Sequence, residues 1–129
     1  MVTNRYAYTI NHIKIALARK ALYFLVQNNR QTRKLLKVLR DLNFIRRFYQ
    51  TPGNHLKVYL RYNKKSRYTL NIKNYYRNNT HLFIKYQALR ILHLSTMTST
   101  FILDTSRGLI PHQRALEFGI GGVLVCFIT

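Results

Sequence analysis

Hydroxyl and guanidinium groups stand together at Thr105-Ser106-Arg107-Gly108, between the apolar run Phe101 to Leu103 and a short helical stretch. Such groups suit the reading of RNA. Thr and Ser donate to phosphate and 2′-OH groups or accept from base edges, while Arg107 offers a planar fork that pairs with phosphate or stacks on a base. Gly108 permits a loop exit with positive φ and lets the backbone come close to a ligand. By spacing alone the segment also reads as an ordinary turn, since Ser, Thr and Gly are common turn residues. Cys126 and His112 are the other reactive pair to weigh. Cys126 stands amid Val125, Phe127 and Ile128, where burial raises a thiol pKa and leaves it inert, so no nucleophile–base pair is expected.

His12, His55, His81, His93 and His112 show no paired metal-ligand spacing, and the 3 acids are too dispersed for a carboxylate pair. No catalytic constellation, metal site, cofactor or small-molecule substrate is expected. A single cysteine excludes an internal disulfide. Gly119-Ile120-Gly121-Gly122 resembles a dinucleotide loop only superficially: that motif follows a strand and opens a helix, whereas this one closes a helix and opens a strand. It reads as a tight turn with close backbone packing.

The elements that position the loop follow from turn chemistry. The tail reads strand, loop, helix, turn, strand, with Pro111 suited to the helix's first turn and Gly119 to the position just past its end. Thr105, Ser106, Arg107, Gly108, Leu109, Ile110, Ala115, Gly119, Ile120, Gly121, Gly122 and Cys126 fall, without a gap, on a known pattern. That pattern is Ser-Thr-Ser-Lys/Arg-Gly, two apolar residues, a hydroxyl residue, Ala, Gly-Ile/Leu-Gly-Gly and a closing strand with Cys. In this respect the chain resembles the small-subunit ribosomal protein eight family, whose members bind ribosomal RNA. The resemblance implies that Thr105 to Gly108 is the principal RNA-reading element. It also implies RNA approach by Phe83, which replaces a strand Tyr, by Arg77, the survivor of a Ser-Arg-Pro-Gly turn, and by Lys14 and Arg30 as phosphate contacts. Three departures stand out: Asp104 for the loop's first Ser, Pro111 for a capping hydroxyl, and Val123 for a Glu. A carboxylate beside phosphate is repulsive, so Asp104 must face a base amino donor, pair with a nearby Arg or Lys, or turn away from RNA, and the intramolecular pairing is the favoured expectation.

Charge points the same way. With 22 Lys+Arg against 3 Asp+Glu the net charge is +19 and the pI about 10.8, a self-repulsive field that calls for a polyanionic partner. No apolar stretch reaches the ~20 residues of a spanning helix, so a membrane partner is not expected. The basic N-terminus could suggest a transit peptide, but the resemblance begins near Tyr8, and the segment reads as mature protein. Abundant Asn, Tyr, Ile and Lys beside sparse Ala and Gly suggest an AT-rich genome. Together with the resemblance, this points to a mitochondrial ribosome, with a plastid or bacterial cytoplasm as alternatives.

Along the 129 residues the reading is α+β with two small domains, 1–65 and 66–129. The first is helix, strand, helix and hairpin: a helix over 9–19 with Ile10, Ile13 and Leu17 on one face, and a buried strand over 21–26. A second helix, capped by Thr32, has Leu35, Leu36, Leu39 and Leu42 opposite Arg33, Lys34, Lys37 and Arg40. Strands over 44–49 and 56–62 flank the turn Thr51-Pro52-Gly53-Asn54. The basic segment 63–67 marks the boundary. Beyond it come strands over 68–75 and 81–84, then the tail, making a mainly β domain with one short helix. The family likeness makes small-subunit rRNA and neighbouring small-subunit ribosomal proteins the expected partners; the alternative is a general basic nucleic-acid module outside the ribosome.

Overall fold

The computed structural model describes residues 5–61, 71–76, 81–95 and 99–129. Two compact units result, one over Arg5–Asn71 and one from Ile72 to Thr129. The boundary expected at 63–67 lies outside the described residues.

The first unit opens with α1 (Arg5–Ala18), which buries Tyr6, Thr9, Ile10, Ile13, Ala16 and Leu17. It leads through β1 (Tyr23–Gln27) to α2 (Arg30–Asp41), where Leu35, Leu36 and Leu39 are buried and the cations lie outside. Thr32 does not cap this helix. Asn29 does, its side chain accepting from the Gln31 N–H at 2.9 Å. Thr32 lies inside the first turn, fully buried, with its Oγ1 3.1 Å from Thr9 Oγ1. Arg30 already opens the helix, so Thr32, two residues further in, does not occupy the non-helical cap position, and the cap falls to the Asx residue upstream.

β2 (Ile45–Thr51) and β3 (His55–Leu60) form a hairpin around Gly53 and Asn54, both at positive φ, and the antiparallel order is β1-β3-β2. Leu56, Val58 and Leu60 point into the core from β3, as the alternation predicts. In β1 only Val26 is buried, not the whole run. An edge strand with helices on one face buries every second residue, so Tyr23 and Leu25 are left to solvent.

In the second unit the strands are β4 (Ile72–Asn74), β5 (Phe83–Ile84), β6 (Thr100–Thr105), β7 (Gly108–Pro111) and β8 (Gly122–Ile128). All pairings are antiparallel, in the order β4-β8-β6-β7, with β5 also paired to β8. Thus β8 hydrogen-bonds three other strands. The unit carries two helices rather than one: α3 (Tyr86–Ser95) precedes β6, and α4 (His112–Phe118) joins β7 to β8. The core gathers Ile84, Leu89, Phe101, Leu103, Ala115 and Leu124. Of α3 only Leu89 is fully inside, while Ile91 and Leu94 stay 70% and 78% exposed, so its apolar residues mark no single buried face. That is why periodicity did not announce it.

Candidate nucleic-acid interface

The segment after Leu103 is a tight β-hairpin rather than a loop. Its strands continue to Thr105 and resume at Gly108, which pair with each other, leaving Ser106 and Arg107 as the turn. Positive φ is carried by Gly108 at 98°, not by Ser106 or Arg107, as in a turn closed by a glycine bulge. The Thr105 hydroxyl braces the turn from within, donating to the Gly108 carbonyl at 2.9 Å and accepting from the Arg107 N–H at 3.1 Å. Its proton is therefore committed, and a lone pair remains for a ligand. Ser106 and Arg107 are exposed at the tip.

Behind the tip stands an aromatic ring that the sequence did not single out. The Arg107 guanidinium lies 4.4 Å from the Phe118 ring centroid, and that of Arg114 lies 5.5 Å from it. Arg114 and Phe118 are four residues apart, neighbours on α4, and this spacing was the available signal. Pro111, extended at φ −70° and ψ 158°, starts α4 as its N-cap residue without a side-chain bond. Gly119, left-handed at φ 68° and ψ 32°, ends it. The ring thus orients two guanidiniums while leaving their N–H groups free for phosphate or a base edge.

Gly121 and Gly122 hold the surrounding strands close. A Cβ on Gly121 would collide with the Ile84 carbonyl oxygen, and one on Gly122 would come within 2.7 Å of the Asp104 carbonyl oxygen and the Thr105 methyl. Across this junction Phe83 pairs with Val123, and Val123 with Asp104. Two inter-strand spacings separate Phe83 from β6, about 10 Å. Phe83 is 61% exposed, so its ring shares the sheet end with the hairpin.

Lys14 and Arg30 are exposed on α1 and at the start of α2, in the other unit. Arg77 lies outside the described residues. Asp104 is half-buried, and the expected partner for it is not found: among the described residues the ion pair formed is Arg40–Asp41, at 3.7 Å.

His112 and Cys126 do not meet chemically. The Phe101 N–H donates to His112 Nδ1 at 3.0 Å, and His112 Nε2 lies 3.1 Å from His93 Nδ1. With Nδ1 accepting, the proton sits on Nε2 and points to His93. Burial, then the neighbouring His93, hold His112 below its usual range despite the opposing backbone bond. Burial pushes the Cys126 thiol up to about 12. Among the described residues no group of three His, Cys, Asp or Glu could hold a metal ion, and no helix is long and apolar enough to cross a membrane.

An α+β chain of this charge, with a braced cationic hairpin on an antiparallel sheet, has the features of a nucleic-acid-binding protein. The chain belongs to the ribosomal protein S8 family, whose model matches residues 5–129. It is 31% identical to small ribosomal subunit protein uS8c of Amborella trichopoda over 102 residues, 75% of this chain and 76% of that one. Likeness to uS8 of Dictyoglomus thermophilum is 25% over 131 residues, 98% of each chain. With uS8 of Geotalea daltonii it is 30% over 98 residues, 73% of each. Family membership gives the chain a structural role in the small ribosomal subunit.

Proposed function

We propose that the protein binds the central domain of small-subunit ribosomal RNA and fixes a helical junction there during subunit assembly, in a mitochondrial ribosome. The observation that carries this reading is the hairpin tip. Thr105 and Gly108 close the turn, Ser106 and Arg107 face outward, and Phe118 backs the Arg107 guanidinium. A rigid turn loses little entropy on binding, so its donors favour one RNA shape over others.

Labour divides between the units. Lys14, Arg30 and the basic surface of α2 neutralise phosphates and supply affinity, while Ser106, Arg107 and Phe83 read local shape at the sheet end. By the family likeness Arg77 adds a further RNA contact, and neighbouring small-subunit proteins complete the setting. The organellar assignment rests on the Asn-, Tyr-, Ile- and Lys-rich composition.

The test is binding to the cognate rRNA junction with unrelated RNA as competitor, wild type against Arg107→Ala and Ser106→Ala, across a salt series. With roughly 6 to 10 phosphate contacts, affinity should fall about 10³- to 10⁵-fold between roughly 50 and 200 mM salt. Loop variants should lose discrimination while keeping most of that slope. Equal wild-type affinity for every RNA would overturn the reading and leave a general basic nucleic-acid module.

A further inference from the structure

The first unit carries a second surface with the chemistry of nucleic-acid contact. On the side of the β1-β3-β2 sheet away from Val26, Leu56, Val58 and Leu60, strand register sets side chains in rows. Tyr23, Tyr59 and Arg47 form one row, and Leu25, Lys57 and Tyr49 the next. Tyr23, Leu25 and Tyr49 are 48%, 50% and 45% exposed. Ring centroids lie 5.8 Å apart for Tyr23–Tyr59 and 6.0 Å for Tyr49–Tyr59, and the Tyr49 and Tyr59 hydroxyls are 3.3 Å apart.

Cations are interleaved with these rings. Lys57 Nζ stands 4.2 Å from the Tyr23 centroid and 5.4 Å from that of Tyr59, and the Arg47 guanidinium stands 4.7 Å from Tyr59. No acid occurs in any of the three strands. A hydrogen bond with Tyr59 holds the Lys57 ammonium above its usual range, so it stays charged at any working pH.

This mosaic selects its occupant. An apolar protein face would bury Lys57 and Arg47 without counter-charges, which is unfavourable. An RNA strand brings both complements, flat bases for the rings and phosphates for the cations. Bases in a duplex are already stacked and present only their edges, so the strand must be unpaired. We propose that this sheet face is a second RNA site, on which two or three unpaired bases stack over Tyr23, Tyr59 and Tyr49 while Lys57 and Arg47 engage the phosphates. Lys57, on its flexible stem, swings from the ring face to a phosphate, and the planar Arg47 guanidinium can remain in the stack.

The site is separate from the hairpin, and each can fail without the other. The experiment titrates the intact protein with labelled single-stranded oligoadenylate and with the same strand in a duplex. Tyr23→Leu/Tyr59→Leu keeps an apolar sheet surface and should weaken single-strand binding by roughly tenfold or more, with the salt slope preserved. Tyr59→Phe should bind within about twofold of wild type, because the ring is kept. Arg107→Ala, at the hairpin, should weaken single-strand binding less than the double variant does.

Unaltered single-strand affinity in the double variant, with a native circular dichroism spectrum, would overturn the proposal. So would a comparable loss in Arg107→Ala, which would put the strand at the hairpin. Should the double variant misfold, ultraviolet cross-linking of the wild type decides. Adducts on Tyr23, Tyr49 or Tyr59 support the site, and adducts confined to residues 72–129 overturn it.

Discussion

Gly121→Ala tests whether contact between β5 and β8 builds the sheet end that carries Phe83. The added methyl would land on the Ile84 carbonyl oxygen and within 3.1 Å of Lys85 backbone atoms. These are main-chain atoms, which cannot turn aside as a side chain would. Gly121 does not have positive φ, so alanine there meets no backbone strain and should gain about 0.4–1 kcal/mol from a stiffer unfolded chain. Any net loss therefore reports the collision. Overpacking of this kind costs about 1–3 kcal/mol, and backbone contact places it near the upper end. Gly119→Ala is the matched control. Nothing lies within 4 Å of its added methyl, and only the left-handed backbone, φ 68°, opposes it, at about 1 kcal/mol. At roughly 4 °C per kcal/mol, thermal melting followed by circular dichroism should drop by about 10 °C for Gly121→Ala and about 4 °C for Gly119→Ala. Hydrogen exchange at the Leu124 amide, which bonds the Leu82 carbonyl at 2.8 Å, should accelerate in the first variant beyond the second. Equal melting, or a milder effect at Gly121, would refute the argument.

His112 links stability to pH. Its folded pKa is depressed below the usual 6.5, so the unfolded chain takes up this proton first as pH falls. Its contribution is full above pH 6.5, declines below it and is gone once pH passes the folded value; His112→Gln should flatten that decline in urea titrations. Asn29→Ala removes the α2 cap and should cost about 0.5–2 kcal/mol in chemical denaturation, whereas Thr32→Ser, which keeps the buried hydroxyl contact, should leave capping intact. Cys126, with its thiol pushed up to about 12, should resist alkylation at neutral pH in the native protein and react once unfolded; rapid native labelling would contradict its burial.

Local chemistry was legible where one residue type admits one backbone solution. Gly108 at the hairpin exit, Gly119 behind α4 and the β3 alternation were all readable in advance. Choices settled by tertiary contact were not. Thr32 looked like a cap, but it lies inside the first turn, with its hydroxyl against Thr9 on the neighbouring helix. α3 lacked a coherent apolar face because Ile91 and Leu94 remain outside. Thr105 kept its place in the expected recognition segment, but its hydroxyl bonds turned inward to Gly108 and Arg107. Phe118 joined the site only because β7 and α4 carry the chain back beneath Arg107. The sheet platform needed strand register, since Tyr23, Tyr49 and Tyr59 are far apart in the chain.

The central place of β8 also sets an order of events. The strands β4, β5 and β6 share this one partner, which follows them all in the chain. Until Gly122–Ile128 has left the ribosome making it, none of the three has its β8 pairing, and only the local β6–β7 hairpin can form. The first unit instead completes its sheet with strands lying within Tyr23 to Leu60. During synthesis the tyrosine-bearing sheet should therefore be folded while the hairpin end is still assembling. A nascent chain arrested before β8 emerges would show proteolytic protection of the first unit alone.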